Sequence, residues 1–197
     1  MELSPLAKER LAKIGSLSLE ESKLLELNRE LESHLSQYFT QVISSEDLWN
    51  KIKELKEQKD STIPAQAQIK LLNSLRLQMS DDDLKQRRIA ILAMETIKTI
   101  QKYSEIETHF NSIDAIRKKY KQSKDQGYEQ LKSGMEAQLQ AAVQQAGRQG
   151  VNVDIERSLA ANVKNSKQWK AFVSELENNA EIMFSELIDK MKDLINA

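Results

Sequence analysis

The amino-acid sequence predicts an all-α protein: a helical bundle with a long central helix and an antiparallel, coiled-coil-like hairpin. Three observations carry that expectation. Turn residues are scarce, with 5 Gly and 2 Pro in 197 residues, too few to punctuate a β-rich or α/β chain. Leu, Lys, Glu, Gln and Ala, all good helix formers, dominate the composition. Apolar residues recur at alternating intervals of three and four over long stretches, the spacing of one helix face.

The elements follow in order. Ser4 is the expected N-cap and Pro5 the first residue of a short helix with Leu6, Leu11 and Ile14 inward, ended by Gly15. Ser18 and Glu21 form a capping-box pattern. The helix they open carries a heptad stripe of Leu24, Asn28, Leu31, Leu35, Tyr38 and Val42, with Asn28 at its wet edge. Ser44 or Ser45 marks a break, and Glu46 and Asp47 suit the start of the next helix. Leu48, Trp49, Ile52 and Leu55 form its inner face, and the charged run 56–60 ends it. Residues 61–64 read as a linker, with Ile63 pushed toward an extended conformation by Pro64. Another helix is expected from Pro64 through Leu71, Leu72, Leu75 and Met79.

Ser80 caps the next helix, and Asp81, Asp82 and Asp83 complement its macrodipole; capping explains these three carboxylates better than a metal site does. No strong break follows until about residue 149, which predicts one helix about 100 Å long at about 1.5 Å per residue. Its first half presents Ile89, Leu92, Ile97, Ile100, Ile106, Phe110, Ile113, Ile116 and Tyr120. The face then thins to Tyr128, Leu131, Met135, Leu139, Ala142 and Ala146. Gly147 and Gly150 stop the helix, at a hairpin tip, and Asn152 or Asp154 caps the return. After a weak spot at Asn165 and Ser166 comes a regular stripe of Trp169, Val173, Leu176, Ala180, Met183, Leu187, Lys190 and Leu194. Phe172, Phe184, Ile188, Met191 and Ile195 widen it beyond a two-stranded seam. The expected organisation is one cooperative domain with a helical extension: N-terminal helices in 1–60, the central helical region in 61–150, and a returning C-terminal helix in 151–197.

A net charge of −1 provides no global field for nucleic acid or an anionic membrane. Residues 61–127 are mildly basic, with twelve basic and eight acidic groups, whereas 1–60 has nine and twelve and 128–197 has eight and ten. The ends can thus neutralise the middle. The absence of Cys excludes disulfides, thiolate metal sites and cysteine nucleophiles, and fits a reducing compartment. With neither a signal-type apolar region nor a span of about 20 apolar residues, the expectation is a soluble, cytoplasmic protein with no membrane partner.

Two constellations bear on chemistry. Glu30-Leu31-Glu32-Ser33-His34 is matched by Glu105-Ile106-Glu107-Thr108-His109, so each His shares a helix face with a Glu four residues earlier. Glu30, His34, Glu105 and His109 together are a legitimate ligand set for a divalent metal. Helical diiron sites, however, space Glu and His three apart, and here Leu31 and Ile106 occupy those positions. A plain surface pair is the simpler reading, and no cofactor is expected. The second constellation is the basic run Arg117, Lys118, Lys119, Lys121 and Lys124 around Tyr120, with Arg87 and Arg88 earlier. It suits an acidic protein surface, or phosphate at a nucleic-acid backbone, against the plainer reading of a solvated helix face. The Gln- and Ala-rich stretch 138–149, including Gln138 and Gln145, offers a weak apolar face to a partner helix.

Phosphate-binding loops, dinucleotide turns, zinc-protease helices, EF-hand loops and nucleophile elbows are all missing. The function expected from sequence is therefore non-catalytic: an adaptor, scaffold or chaperone-like subunit binding a protein partner, or itself, through exposed helical faces. Metal binding and nucleic-acid binding are the alternatives.

Overall fold

The computed structural model describes residues 19–58, 60–146 and 155–197, with side chains described at 21–58, 60–141 and 159–197. Among them are seven helices and no strand: α1 (Leu19–Phe39), α2 (Ser45–Gln58), α3 (Ile63–Asn73), α4 (Asp81–Glu95), α5 (Tyr103–Ala146), α6 (Ile155–Asn165) and α7 (Lys167–Asn196). The fold is all-α, with a long helix, as expected. The short helix over 5–15, the Ser18 cap, the tip at Gly147 and Gly150 and the Asn152 or Asp154 cap lie outside the described residues.

The chain forms two compact units. One takes in the chain to Leu71 together with Ile89–Gln101, the other Leu72–Arg88 together with Lys102–Ala197.

In the first unit, α1 buries Leu27, Leu31, Leu35 and Tyr38. The expected stripe holds at its centre and fails at its ends, where Leu24 and Val42 are exposed. The reason at the C-terminal end is a cap. Val42 N–H donates to Gln37 O at 2.9 Å and Gln41 N–H to Tyr38 O at 3.0 Å, with Gln41 at φ 59°. This is the Schellman arrangement, which turns the chain out of the helix before Val42. Ser44 then opens α2 as a reciprocal cap: its Oγ accepts from Asp47 N–H at 3.1 Å, and its own N–H donates to Asp47 Oδ2 at 2.9 Å. Leu48, Ile52 and Leu55 are buried. Trp49 sits at the edge of this face, where Nε1–H donates to Thr96 Oγ1 at 2.9 Å.

Ile63 corrects the expectation set by Pro64. It is the first residue of α3 and wholly buried, because Asp60 caps the turn through Thr62 N–H (2.7 Å) and its own carbonyl accepts from Ile63 N–H (3.4 Å). Burial of the Ile63 side chain outweighs the modest preference of a pre-proline residue for extended backbone.

The single helix expected over 81–149 is also corrected, since α4 stops at Glu95 and α5 starts at Tyr103. No Gly or Pro marks the break. Thr96, Ile97 and Lys98 instead tighten into turns bonding Ala93, Met94 and Glu95 carbonyls, Thr96 Oγ1 donates to Ala93 O at 2.7 Å, and Lys56 Nζ donates to Ile97 O. The phase of the apolar face resets there. Ala90, Ile91 and Met94 are buried, while Ile89 and Ile100, assigned inward by continuous helical spacing, are exposed.

In the second unit, α3 ends at Asn73, short of the expected Met79, and Arg76 donates to the Asn73 and Leu75 carbonyls. The connection inserts Leu75 and Leu77 into the core. Ser80 caps α4 through Asp83 N–H at 3.0 Å, so the triple-Asp segment is a helix start, as expected. The main body is α5 with α6 and α7 returning antiparallel. Tyr128 meets Trp169 edge-on at 5.5 Å between centroids, and at the other end Ile116 and Met183 line one cleft. Gly127 marks the close approach of α5 and α7, for a Cβ there would lie 2.3 Å from the Phe172 ring. Ser166, whose Oγ accepts from Trp169 N–H at 3.1 Å, separates α6 from α7. The buried seam of α7 is Ala180, Phe184, Ile188, Met191 and Ile195. It is rotated from the expected stripe, which leaves Met183 half exposed.

Candidate interaction surface

The basic run on α5 divides into groups turned inward and groups turned out. Arg117 is 4% exposed. Its Nε–H donates to Leu77 O at 3.0 Å, and Nη2 both donates to Met79 O and pairs with Asp81 Oδ1 at 3.0 Å. Lys121 pairs with Asp81 at 3.0 Å. The Lys121 hydrogen bond and charge, with Arg117 behind them, hold the Asp81 carboxyl below the usual carboxylate range. Arg88 bonds Asp114 and Asn111 at 3.1 and 2.8 Å, and Arg87 bonds Ser74 at 2.9 Å. Lys124 stands over the Tyr120 ring, 5.5 Å from its centroid, and Tyr120 is itself buried. Arg117, Lys121 and Arg88 tie α5 to the 74–88 segment. Lys118 and Lys119 remain exposed, with no ion-pair partner among the described residues. The sequence pattern showed seven basic residues near one helix stretch; it could not show that most of them are held by Asp81, Asp83, Asp114 and backbone carbonyls.

Beside Lys119 lies a feature that no sequence motif marks. Ile116, Lys119, Tyr120 and Ser123 of α5 and Leu176, Asn179, Ala180 and Met183 of α7 enclose a largely apolar cleft of about 240 Å³. Next to it, Ile182 and Met183 are 52% and 51% exposed. The α5 residues that engage the 77–88 segment are Glu107, Asn111, Asp114, Arg117 and Lys121. By helical spacing these lie on another side of α5 from Ile116, Lys119 and Ser123, so the 77–88 segment leaves the cleft open. The available signal was the unusual breadth of the apolar stripe on α7, more than one neighbour can cover.

Gln138 and Leu139 of distal α5 are exposed, and the Gln145 side chain lies outside the described residues. Glu30 and His34 belong to the first unit, Glu105 and His109 to the second, and among the described residues no group of three or more His, Asp or Glu side chains is arranged to hold a metal. His34 Nδ1 is buried without a hydrogen-bond partner. Burial, then the nearby Lys51 ammonium, hold the imidazole below its ordinary pKa of 6.5 against the opposing pull of Glu30 and Glu54. Because the folded pKa is the lower one, the unfolded chain takes up the proton first. Stability from this site is therefore complete above about pH 6.5 and declines as pH falls through the folded value. A His34→Gln variant is expected to show a smaller loss of Tm between pH 7 and pH 5 than the parent protein. An identical loss in both would show that His34 does not contribute.

The polar heart of the first unit also escaped the sequence pattern. Gln68 and Glu95 are both 0% exposed. Gln68 Nε2 donates to Ile91 O at 2.9 Å and to Glu95 Oε1 at 2.8 Å, and Lys98 Nζ reaches the same carboxylate oxygen at 2.9 Å. This is a connected buried network joining α3 to α4, of the kind that fixes helix register.

Taken by fold and surface, the chain is an all-α protein in which a long antiparallel helix pair carries an open apolar cleft. It belongs to a family of unknown function, DUF6657, whose profile matches residues 49–197. No curated protein and no solved structure matches the chain. No helix among the described residues is long and apolar enough to cross a membrane.

Proposed function

We propose that this protein is a non-catalytic, helix-based binding protein, an adaptor or scaffold that docks a protein partner on the α5–α7 face. The observation that carries this reading is the cleft between Ile116 and Tyr120 on one side and Leu176, Ala180 and Met183 on the other, flanked by half-exposed Ile182 and Met183. Apolar surface of this kind on a helix pair is what a docking helix covers. Nucleic-acid binding draws less support, because Arg87, Arg88, Arg117 and Lys121 are already engaged by carboxylates of the same unit.

Met183→Glu tests the reading with little risk to the fold, since the side chain is half outside. Tagged parent protein and variant would be compared for partners retained at moderate salt, with circular dichroism as the folding control. The expected result is a defined partner bound by the parent protein and lost from the folded variant. Equal retention by both would remove the cleft from the binding surface.

A further inference from the structure

We infer that the partner covering the α5–α7 cleft is a second copy of this chain, in a two-fold dimer whose axis runs along the helix pair. The inference rests on the binding role proposed for this face and names its occupant.

The charge pattern around the cleft is self-complementary. On the α5 side, exposed Lys119 lines the cleft three residues from Ile116. On the α7 side, Glu186 is three residues after Met183, and Glu175 is seven before Ile182, so both carboxylates share the outer edge of that helix. Glu175 and Glu186 are exposed with no ion-pair partner among the described residues, as is Lys119. Across the face, the order is basic flank, apolar centre, acidic flank.

A two-fold axis in the plane of this face and along the helices lays the α5 flank of one copy on the α7 flank of the other. Lys119 of one copy then meets the glutamate flank of the other, and Met183 and the rest of the cleft meet their own copies. An axis across the helices would instead set α5 on α5, lysine against lysine, which electrostatics disfavours. The pattern continues further along the pair. Lys190, seven residues after Met183, and Glu105, eleven before Ile116, reverse the two signs near the start of α5. They face each other across the same axis. A patch that is complementary to itself in this way meets the requirement of an isologous interface.

The area of the face also suits a dimer. The 30 residues of α7 span about 45 Å, and a face two helices wide is about 20 Å across. That offers about 900 Å², close to the roughly 800 Å² per partner of a standard interface.

Sedimentation velocity on the full chain over the micromolar range tests the inference, with circular dichroism to confirm that every variant is folded. The parent protein is expected to dimerise, and Met183→Glu to weaken the dimer at least tenfold. The decisive pair is Lys119→Glu in one protein and Glu175→Lys with Glu186→Lys in another. The first has two acidic flanks and the second two basic ones. Each alone is expected to be monomeric, and an equimolar mixture to form a heterodimer. A monomeric parent protein overturns the inference, as does a dimer indifferent to Met183→Glu or a mixture that stays monomeric. If the parent protein is monomeric and yet Met183→Glu abolishes capture of another protein, the second copy is the wrong occupant and the binding role stands. If the parent protein is monomeric and capture ignores Met183→Glu, both fail.

Discussion

Arg117→Ala is expected to lower the stability of the second unit by about 3 kcal/mol, the loss typical of removing one member of a buried, hydrogen-bonded charge network. The arginine is buried within α5, and its guanidinium spans the Leu77 and Met79 carbonyls and the Asp81 carboxylate. The connection from α3 to α4 has few bonds of its own, Leu75 N–H to Leu72 O and Met79 N–H to Arg76 O among them. Removing Arg117 strands two carbonyls where water has little access and frees the connection that carries buried Leu75 and Leu77. Arg117→Lys is expected to recover only a small part, because one ammonium cannot reproduce the planar fork that reaches all three acceptors. Urea titration reads the loss, and hydrogen exchange should show faster opening around Leu77, Met79 and Asp81. A loss below about 1 kcal/mol would mean that the guanidinium behaves as a surface group.

Gln68→Ala is expected to cost the first unit a similar amount, about 3 kcal/mol. The side chain is fully buried, and its amide supplies a donor to Glu95 at 2.8 Å and another to Ile91 O at 2.9 Å. Without it the Glu95 carboxylate keeps Lys98 but loses a neutral donor in a site that excludes water. Gln68→Leu separates the contributions. It restores most of the volume without the donor, so it should stay within about 1 kcal/mol of the alanine variant if hydrogen bonding dominates. A leucine variant as stable as the parent protein would show that the amide only fills space. The measurement is again urea unfolding, with the m-value watched for loss of cooperativity.

Local chemistry in this chain was readable from the residues. Ser44 with Asp47, Ser80 with Asp83 and Ser166 with Trp169 are caps within three residues of one another, and a pattern of that range needs no knowledge of the fold. The thinning of the α5 face past Tyr120 and the break at Ser166 were legible for the same reason. The reason for Gly127, the Phe172 ring 45 positions away, is one that no local pattern shows.

The candidate surface was legible only in part. Lys118 and Lys119 stayed on it, whereas Arg117, adjacent in sequence, turned inward, because the α3–α4 connection presents buried carbonyls to that side of α5. Leu176, Ala180 and Met183 all belonged to the expected stripe, yet Ala180 is in the core and Met183 half in solvent. An apolar arc wider than one contact has no unique centre until its neighbours are placed.

What composition and periodicity establish for this protein is its class: helices and their local caps, since these depend on contacts three and four residues apart. Packing between distant segments settles the rest. It ends α4 at Glu95, where turns and the Lys56 bond to Ile97 O replace helical hydrogen bonds. It buries Gln68 against Glu95 and commits Arg117 to the Leu77–Asp81 turn. These are long-range exchanges of water for protein partners, and no local pattern carries the free energy that selects among them.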